Sequence, residues 1–188
     1  MSVPVLSIAD AVAALRRGGL VACPTEGVWG LSCDPFDEAA VLRLLALKQR
    51  TVDKGLILVA ATPAQFEGIA DWEPLPPGRK AEILASWPGP NTWIVPVTAR
   101  VPRWISGEHD GVALRVSAHP VMAELCAAFG GPLVSTSANR AGEPAARNLA
   151  ALDPAVLAAT DGRVAGETGA RDRPSDIRDA RTGALLRG

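Results

Sequence analysis

Short apolar runs alternate with helix-like stretches along this chain, and Gly or Pro punctuates most of the junctions. Residues 20–23, 56–60, 92–97, 112–116 and 133–135 have the length and apolar character of buried strands. Helical spacing is expected over 8–17, 38–47, 62–70, 79–86, 120–129 and 149–159, followed by two or three short extended pieces up to residue 187. Ser7 is placed to cap the first helix, with Asp10 three residues on. Gly18-Gly19 and Gly130-Gly131 stop two helices, and Pro96 marks 92–97 as an edge strand. This alternation predicts a single α/β domain over 1–188, and 188 residues are enough to bury a core.

Net charge is −1, so no global basic field advertises nucleic acid, and any anion site must be a local patch. The three cysteines, Cys23, Cys33 and Cys126, form an odd set without a C-x-x-C, which favours buried free thiols and a reducing compartment. The N-terminus does not read as a signal peptide, and no apolar run nears the roughly 18 residues that span a bilayer. A soluble, cytoplasmic protein is expected. His109 and His119 are isolated, no metal-ligand spacing occurs, and neither a P-loop nor a G-x-G-x-x-G is present.

Charge concentrates where the second helix meets a strand. Lys48, Arg50 and Lys54 fall within seven residues, relieved by Asp53. Such a stretch can aim several cations at one phosphate, or it can be a solvated basic turn. Pro24-Thr25-Glu26 bends a strand and offers a hydroxyl and a carboxylate to a small polar ligand, or simply caps the bend. Ser135-Thr136-Ser137-Ala138-Asn139 follows an apolar strand; its hydroxyls and amide suit ribose, phosphate or an amino-acid head group, or a helix cap. Arg115 lies inside an apolar run, so it needs a partner or ligand unless it sits on a solvated face.

Taken in order, these pieces resemble the YrdC/TsaC family, the threonylcarbamoyl-AMP synthases. The resemblance runs through Pro24-Thr25-Glu26 with Trp29-Gly30-Leu31, Leu47-Lys48-Gln49-Arg50 with Lys54-Gly55-Leu56, and Trp87-Pro88-Gly89-Pro90 with Thr92. It continues in Leu114-Arg115-Val116, Ser135-Thr136-Ser137-Ala138-Asn139 and Pro174-Ser175-Asp176-Ile177-Arg178-Asp179, and the length is similar to the short bacterial form. It implies a twisted, open mixed sheet flanked by helices around a large concave electropositive cleft. It also implies a nucleotidyltransferase: L-threonine, bicarbonate and ATP give threonylcarbamoyl-adenylate and pyrophosphate, for modification of the adenosine beside the anticodon of certain tRNAs.

By motif position, Thr25 and Ser135 would contact threonine. Lys48, Arg50, Lys54, Arg115, Ser137, Asn139 and Arg187 would hold ATP or its leaving pyrophosphate, with Lys48 and Arg50 central to catalysis. Mg²⁺ would arrive with ATP, a loop near 48–54 would close over the carbamate, and the product would pass to the tRNA threonylcarbamoyl transferase machinery. The family pattern is broken at Val59, where longer relatives often carry a His, and at Ala145, where they often carry a Ser. The alternative reading is a non-catalytic module that grips duplex RNA, tRNA or a ribosomal precursor in the same cleft.

Overall fold

The computed structural model describes residues 3–169, 171 and 175–187. Pro174, the first residue of the last motif, lies outside the described residues. The strands are β1 Val5–Leu6, β2 Val21–Pro24, β3 Trp29–Ser32, β4 Ile57–Ala60, β5 Asn91–Pro96, β6 Gly111–Val116, β7 Leu133–Ser137, β8 Gly162–Val164, β9 Asp176–Asp179 and β10 Leu185–Arg187. The helices are α1 Ile8–Arg16, α2 Glu38–Lys48, α3 Arg79–Ala85, α4 Arg103–Ser106, α5 Pro120–Phe129 and α6 Pro154–Ala158. The described strands form one mixed sheet of ten, in the order β1-β8-β2-β3-β7-β4-β6-β5-β9-β10.

Local chemistry explains most helix boundaries. Ser7 Oγ accepts from the Asp10 N–H at 3.1 Å and caps α1. Asp37 does the same for α2 through the Ala40 N–H at 3.1 Å. Pro120 opens α5, where a missing N–H costs nothing, and Gly130, at φ 84°, closes it in the left-handed region.

Where the structure departs from the expected elements, backbone pairing or a breaker decides. The stretch 62–70 forms only a 3-10 turn, Pro63–Phe66, because Gly68 turns left-handed at φ 73°. The stretch 149–159 splits into a 3-10 turn and α6, since Asp153 caps a new start at Pro154. β5 is interior rather than an edge, paired with β6 on one side and β9 on the other. Pro96 is tolerated because β9 reaches only from Asn91 to Ile94, so Pro96 faces no ladder on that side. β7 runs on through Ser137 because Ser137 pairs with Gly30 of β3, while Ser135 pairs with Ile57 of β4. Side-chain polarity there suggested a turn, but the ladder is made by the main chain.

Two apolar clusters build the core. Leu31, Leu58, Leu114 and Val134 of the sheet join Val41, Leu44 and Leu45 of α2 in the larger one. Val21, Cys23 and Val59 join Leu15 of α1 and Met122 and Leu125 of α5 in the other. β6 shows the consequence of alternation. Val112, Leu114 and Val116 belong to the larger cluster, while Gly111, Ala113 and Arg115 share the opposite face of the strand. All three cysteines are buried and free. Among the described residues no helix is long and apolar enough to cross a membrane.

Candidate functional site

A cavity of about 540 Å³ opens where the β2–β3 bend, the loop ahead of β4 and strands β4 to β7 converge. Thr25, Glu26, Arg50, Lys54, Arg115, Ser135, Ser137 and Arg187 line it. They come from sequence positions up to 162 residues apart, so only the sheet order brings them together. A second depression, about 640 Å³, runs along Asp34, Phe36 and Leu42, and no cation among the described residues lines it.

The floor of the cavity follows the register of the sheet. Ser135, Ile57, Ala113, Ile94 and Asp179 pair in turn across β7, β4, β6, β5 and β9, and all line the cavity. Its middle is therefore apolar and its ends polar. Arg115 lies two residues beyond Ala113 on β6 and points the same way.

Arg115 is 7% exposed, so the solvated-face reading of this residue is excluded. Its partner is Glu26, whose Oε2 lies 3.5 Å from the guanidinium. The other oxygen, Oε1, accepts from Ser117 Oγ at 2.8 Å and from the Ala118 N–H at 3.1 Å. Burial pushes the Glu26 carboxyl up. The Arg115 charge and the hydrogen bonds from Ser117 and Ala118 outweigh it, leaving the group below the ordinary carboxylate value. Arg115 Nε and Glu26 Oε2 are both buried without a hydrogen-bond partner among the described residues.

Thr25 is buried, and its hydroxyl donates to the Val28 carbonyl at 2.7 Å. Its remaining capacity is as an acceptor. Arg50 turns back on its own loop, donating from Nη2 to the Lys54 and Gly55 carbonyls at 3.3 and 2.8 Å, while its Nε is buried and unpartnered. Arg187 reaches inward to the Ser175 carbonyl at 3.1 Å. Burial, then the neighbouring Arg115 and Arg50 charges, hold its pKa down, while Asp176 opposes them. These arginines therefore crowd one another around a place suited to an anion.

Two assigned residues do not line the cavity. Lys48 is 4% exposed, the last residue of α2 rather than part of the loop. Its ammonium donates to the Ser137 and Asn139 carbonyls, and its own carbonyl accepts from the Ala141 N–H at 2.9 Å. Burial, then the Arg50 charge, lower its pKa to about 8. Asn139 donates to the Arg140 and Glu143 carbonyls at 2.9 and 2.6 Å, and its Oδ1 is buried without a partner. Lys48 thus ties down the end of β7 that carries the Ser137 hydroxyl and the loop after it.

The sequence reading treated His109 as isolated, but it stands on the cavity wall. It gave Glu26 only a loose ligand-gripping role, although the residue binds the bend to β6. An acid beside Thr25 was the visible signal; the long-range pairing with Arg115 had none.

Comparison with known proteins places these features in a group. A model for Sua5, YciO and YrdC proteins, described as "Telomere recombination", matches residues 13–188. A Xanthomonas euvesicatoria pv. vesicatoria protein named threonylcarbamoyl-AMP synthase is 62% identical over 182 residues, covering 97% of each chain. A double variant of P. abyssi Sua5 superposes with a TM-score of 0.87 at 34% identity, covering 96% of this chain and 55% of that one. P. abyssi Sua5 complexed with L-threonine gives a TM-score of 0.81 at 34% identity, covering 92% of this chain and 50% of that one. This chain therefore spans about half the length of that P. abyssi protein.

Proposed function

The chain belongs to the Sua5–YciO–YrdC family, and we infer from that premise that it is an enzyme forming threonylcarbamoyl-adenylate and pyrophosphate from L-threonine, bicarbonate and ATP. The observation that carries this reading is the convergence of Thr25 and Ser135 with Arg50, Lys54, Arg115 and Arg187 in one cavity.

The chemistry suits a site without a protein nucleophile. A carbamate oxygen of the carboxylated threonine attacks the α-phosphorus of ATP. The new O–P bond forms as the bond to the β-phosphate oxygen breaks, and the electron pair leaves with pyrophosphate. Such a step needs alignment of two anions and neutralisation of charge on the leaving group. Thr25 and Ser135 receive the amino acid. Arg50, Lys54, Arg115 and Arg187 surround the triphosphate, and Ser137 adds a hydroxyl. Lys48 and Asn139 serve ATP from behind the wall, by fixing the 137–141 loop. A loop near 48–54 closing over the carbamate would keep water from it.

The carboxylates of the cavity are engaged: Glu26 by Ser117 and Ala118, Asp110 by Arg181, Asp179 by Thr182. This donor set fits a Mg²⁺ that arrives on the triphosphate and keeps several waters. The adenylate is labile, so it passes to a tRNA threonylcarbamoyl transferase in the cytoplasm. The test is pyrophosphate release with each substrate omitted in turn. Release should require ATP, threonine and bicarbonate together. Release without threonine would overturn the reading, and salt-sensitive duplex RNA binding with no release would favour the RNA-binding alternative.

A further inference from the structure

The loose Glu26–Arg115 contact sets this pair apart from the other ion pairs of the cavity. Asp110 holds Arg181 with two hydrogen bonds, at 3.2 and 2.9 Å. Glu26 instead stands 3.5 Å from Arg115, too far for a strong hydrogen bond. Both side chains are about nine-tenths buried, at 8% and 12% exposure. At that depth an unopposed charge is costly, so Glu26 supplies the countercharge that lets Arg115 sit there. The contact leaves Arg115 Nε without an acceptor among the described residues.

The carboxylate is itself held from the far side. Ser117 and Ala118, which grip Oε1, follow Arg115 directly on the strand end. Glu26 therefore joins the bend carrying Thr25 to the end of β6 carrying Arg115. We propose that Glu26 is a positioning residue for the reaction: a countercharge that aims the Arg115 guanidinium into the cavity while leaving its donors free for the substrate anion. This rests on the reaction inferred above. A tighter pair would spend those donors, and no pair would leave the guanidinium uncompensated and misdirected.

Glu26→Gln tests the idea, because the amide oxygen still accepts from Ser117 and Ala118 while the charge is gone. The melting temperature should fall, because the buried Arg115 loses its countercharge, while circular dichroism should show the fold retained. The rate constant kcat for pyrophosphate release should fall about tenfold or more, with KM for ATP and threonine within about threefold, since Arg115 keeps its charge but loses its aim. In an Arg115→Met background, the same change should cost less than about twofold, because a residue acting through Arg115 has nothing left to act on. Independent effects that multiply, or a kcat within twofold of the parent, would overturn the proposal.

A readout free of the reaction separates this inference from the functional reading. In protein labelled with ¹⁵N at arginine, the Arg115 Nε–H resonance, assigned by its loss in Arg115→Lys, should shift and exchange faster with water in Glu26→Gln. An unchanged resonance overturns the positioning role even if the enzyme is active. A changed resonance upholds it even if the substrates prove to be different. If Glu26→Gln does not fold, Ser117→Ala, which frees the carboxylate from behind, should produce the same direction of shift.

Discussion

Arg50 and Lys48 lie two positions apart in sequence and act on opposite sides of one wall. Arg50 faces the cavity and its guanidinium Nε is unpartnered. Removing it as Arg50→Ala should lower kcat by on the order of a hundredfold, the cost of one preorganised donor at a developing charge. Circular dichroism should show the fold retained. Lys48 gives a different signature. Its pKa is lowered from 10.5 to about 8 by burial, so the unfolded chain holds a proton that the folded one releases between those values. The contribution of this group to folded stability then rises with pH across that window, by at most about 1.4 kcal/mol per unit, against the opposite contribution of the raised thiols. Lys48→Met should lack that rise in urea unfolding followed from pH 7.5 to 10. The thiols make a third prediction at this scale. Burial, opposed only weakly by Ser32, pushes Cys23 up to about 11, and burial, reinforced by Cys23, pushes Cys126 up to about 12. An aromatic disulfide reagent at pH 7.5 should find essentially no reactive thiol in the native protein, and three after unfolding.

The elements that frame the cavity depend on a close crossing of two loops. Gly107, just after α4, sits at φ 67°, and a Cβ there would stand 2.4 Å from the Asp53 carbonyl oxygen and 2.6 Å from the Gly55 nitrogen. The crossing is sealed by hydrogen bonds from the Leu56 N–H to the Ile105 carbonyl and from the Glu108 N–H to the Asp53 carbonyl, at 2.9 and 3.2 Å. Gly107→Ala must displace the 52–55 turn that carries Lys54. It should cost about 1–3 kcal/mol in urea unfolding and raise KM for ATP more than KM for threonine. Equal effects on both substrates would mean that the turn does not serve the triphosphate. The sheet tolerates more at its rim. β10, which pairs with β9 alone at the end of the strand order, has less to lose than β4 or β6, which are paired on both sides.

At the scale of the whole molecule, cavity and core share strands. Leu114 lies in the core and Arg115 in the cavity wall, one residue apart on β6. Core damage therefore reaches the site: Leu114→Ala should cost about 2–5 kcal/mol and lower activity together with stability. Ligands should act in the opposite direction. A ligand at a hundred times its Kd stabilises the folded state by about 2.7 kcal/mol, so ATP with threonine should raise the melting temperature by several degrees, and Arg50→Ala should blunt that rise.

The sequence by itself determined the order of strands and helices in the middle of the chain, because periodicity, caps and breakers are local. Ser7, Asp37, Pro120 and Gly130 each act within a few residues, and α2, α3 and α5 fall close to where their spacing puts them. The motifs also named most of the polar residues that line the cavity. Only the tertiary structure decided how those residues are used. It turned Lys48 inward, because the C-terminal end of α2 lands on the carbonyls of the 137–139 loop. It gave Arg115 a partner 89 positions away. It seated Pro96 in an interior strand, beyond the point where β9 stops short. A side chain's direction and partner depend on which strands pair and which faces pack. Those are contacts between distant parts of the chain that no local pattern encodes.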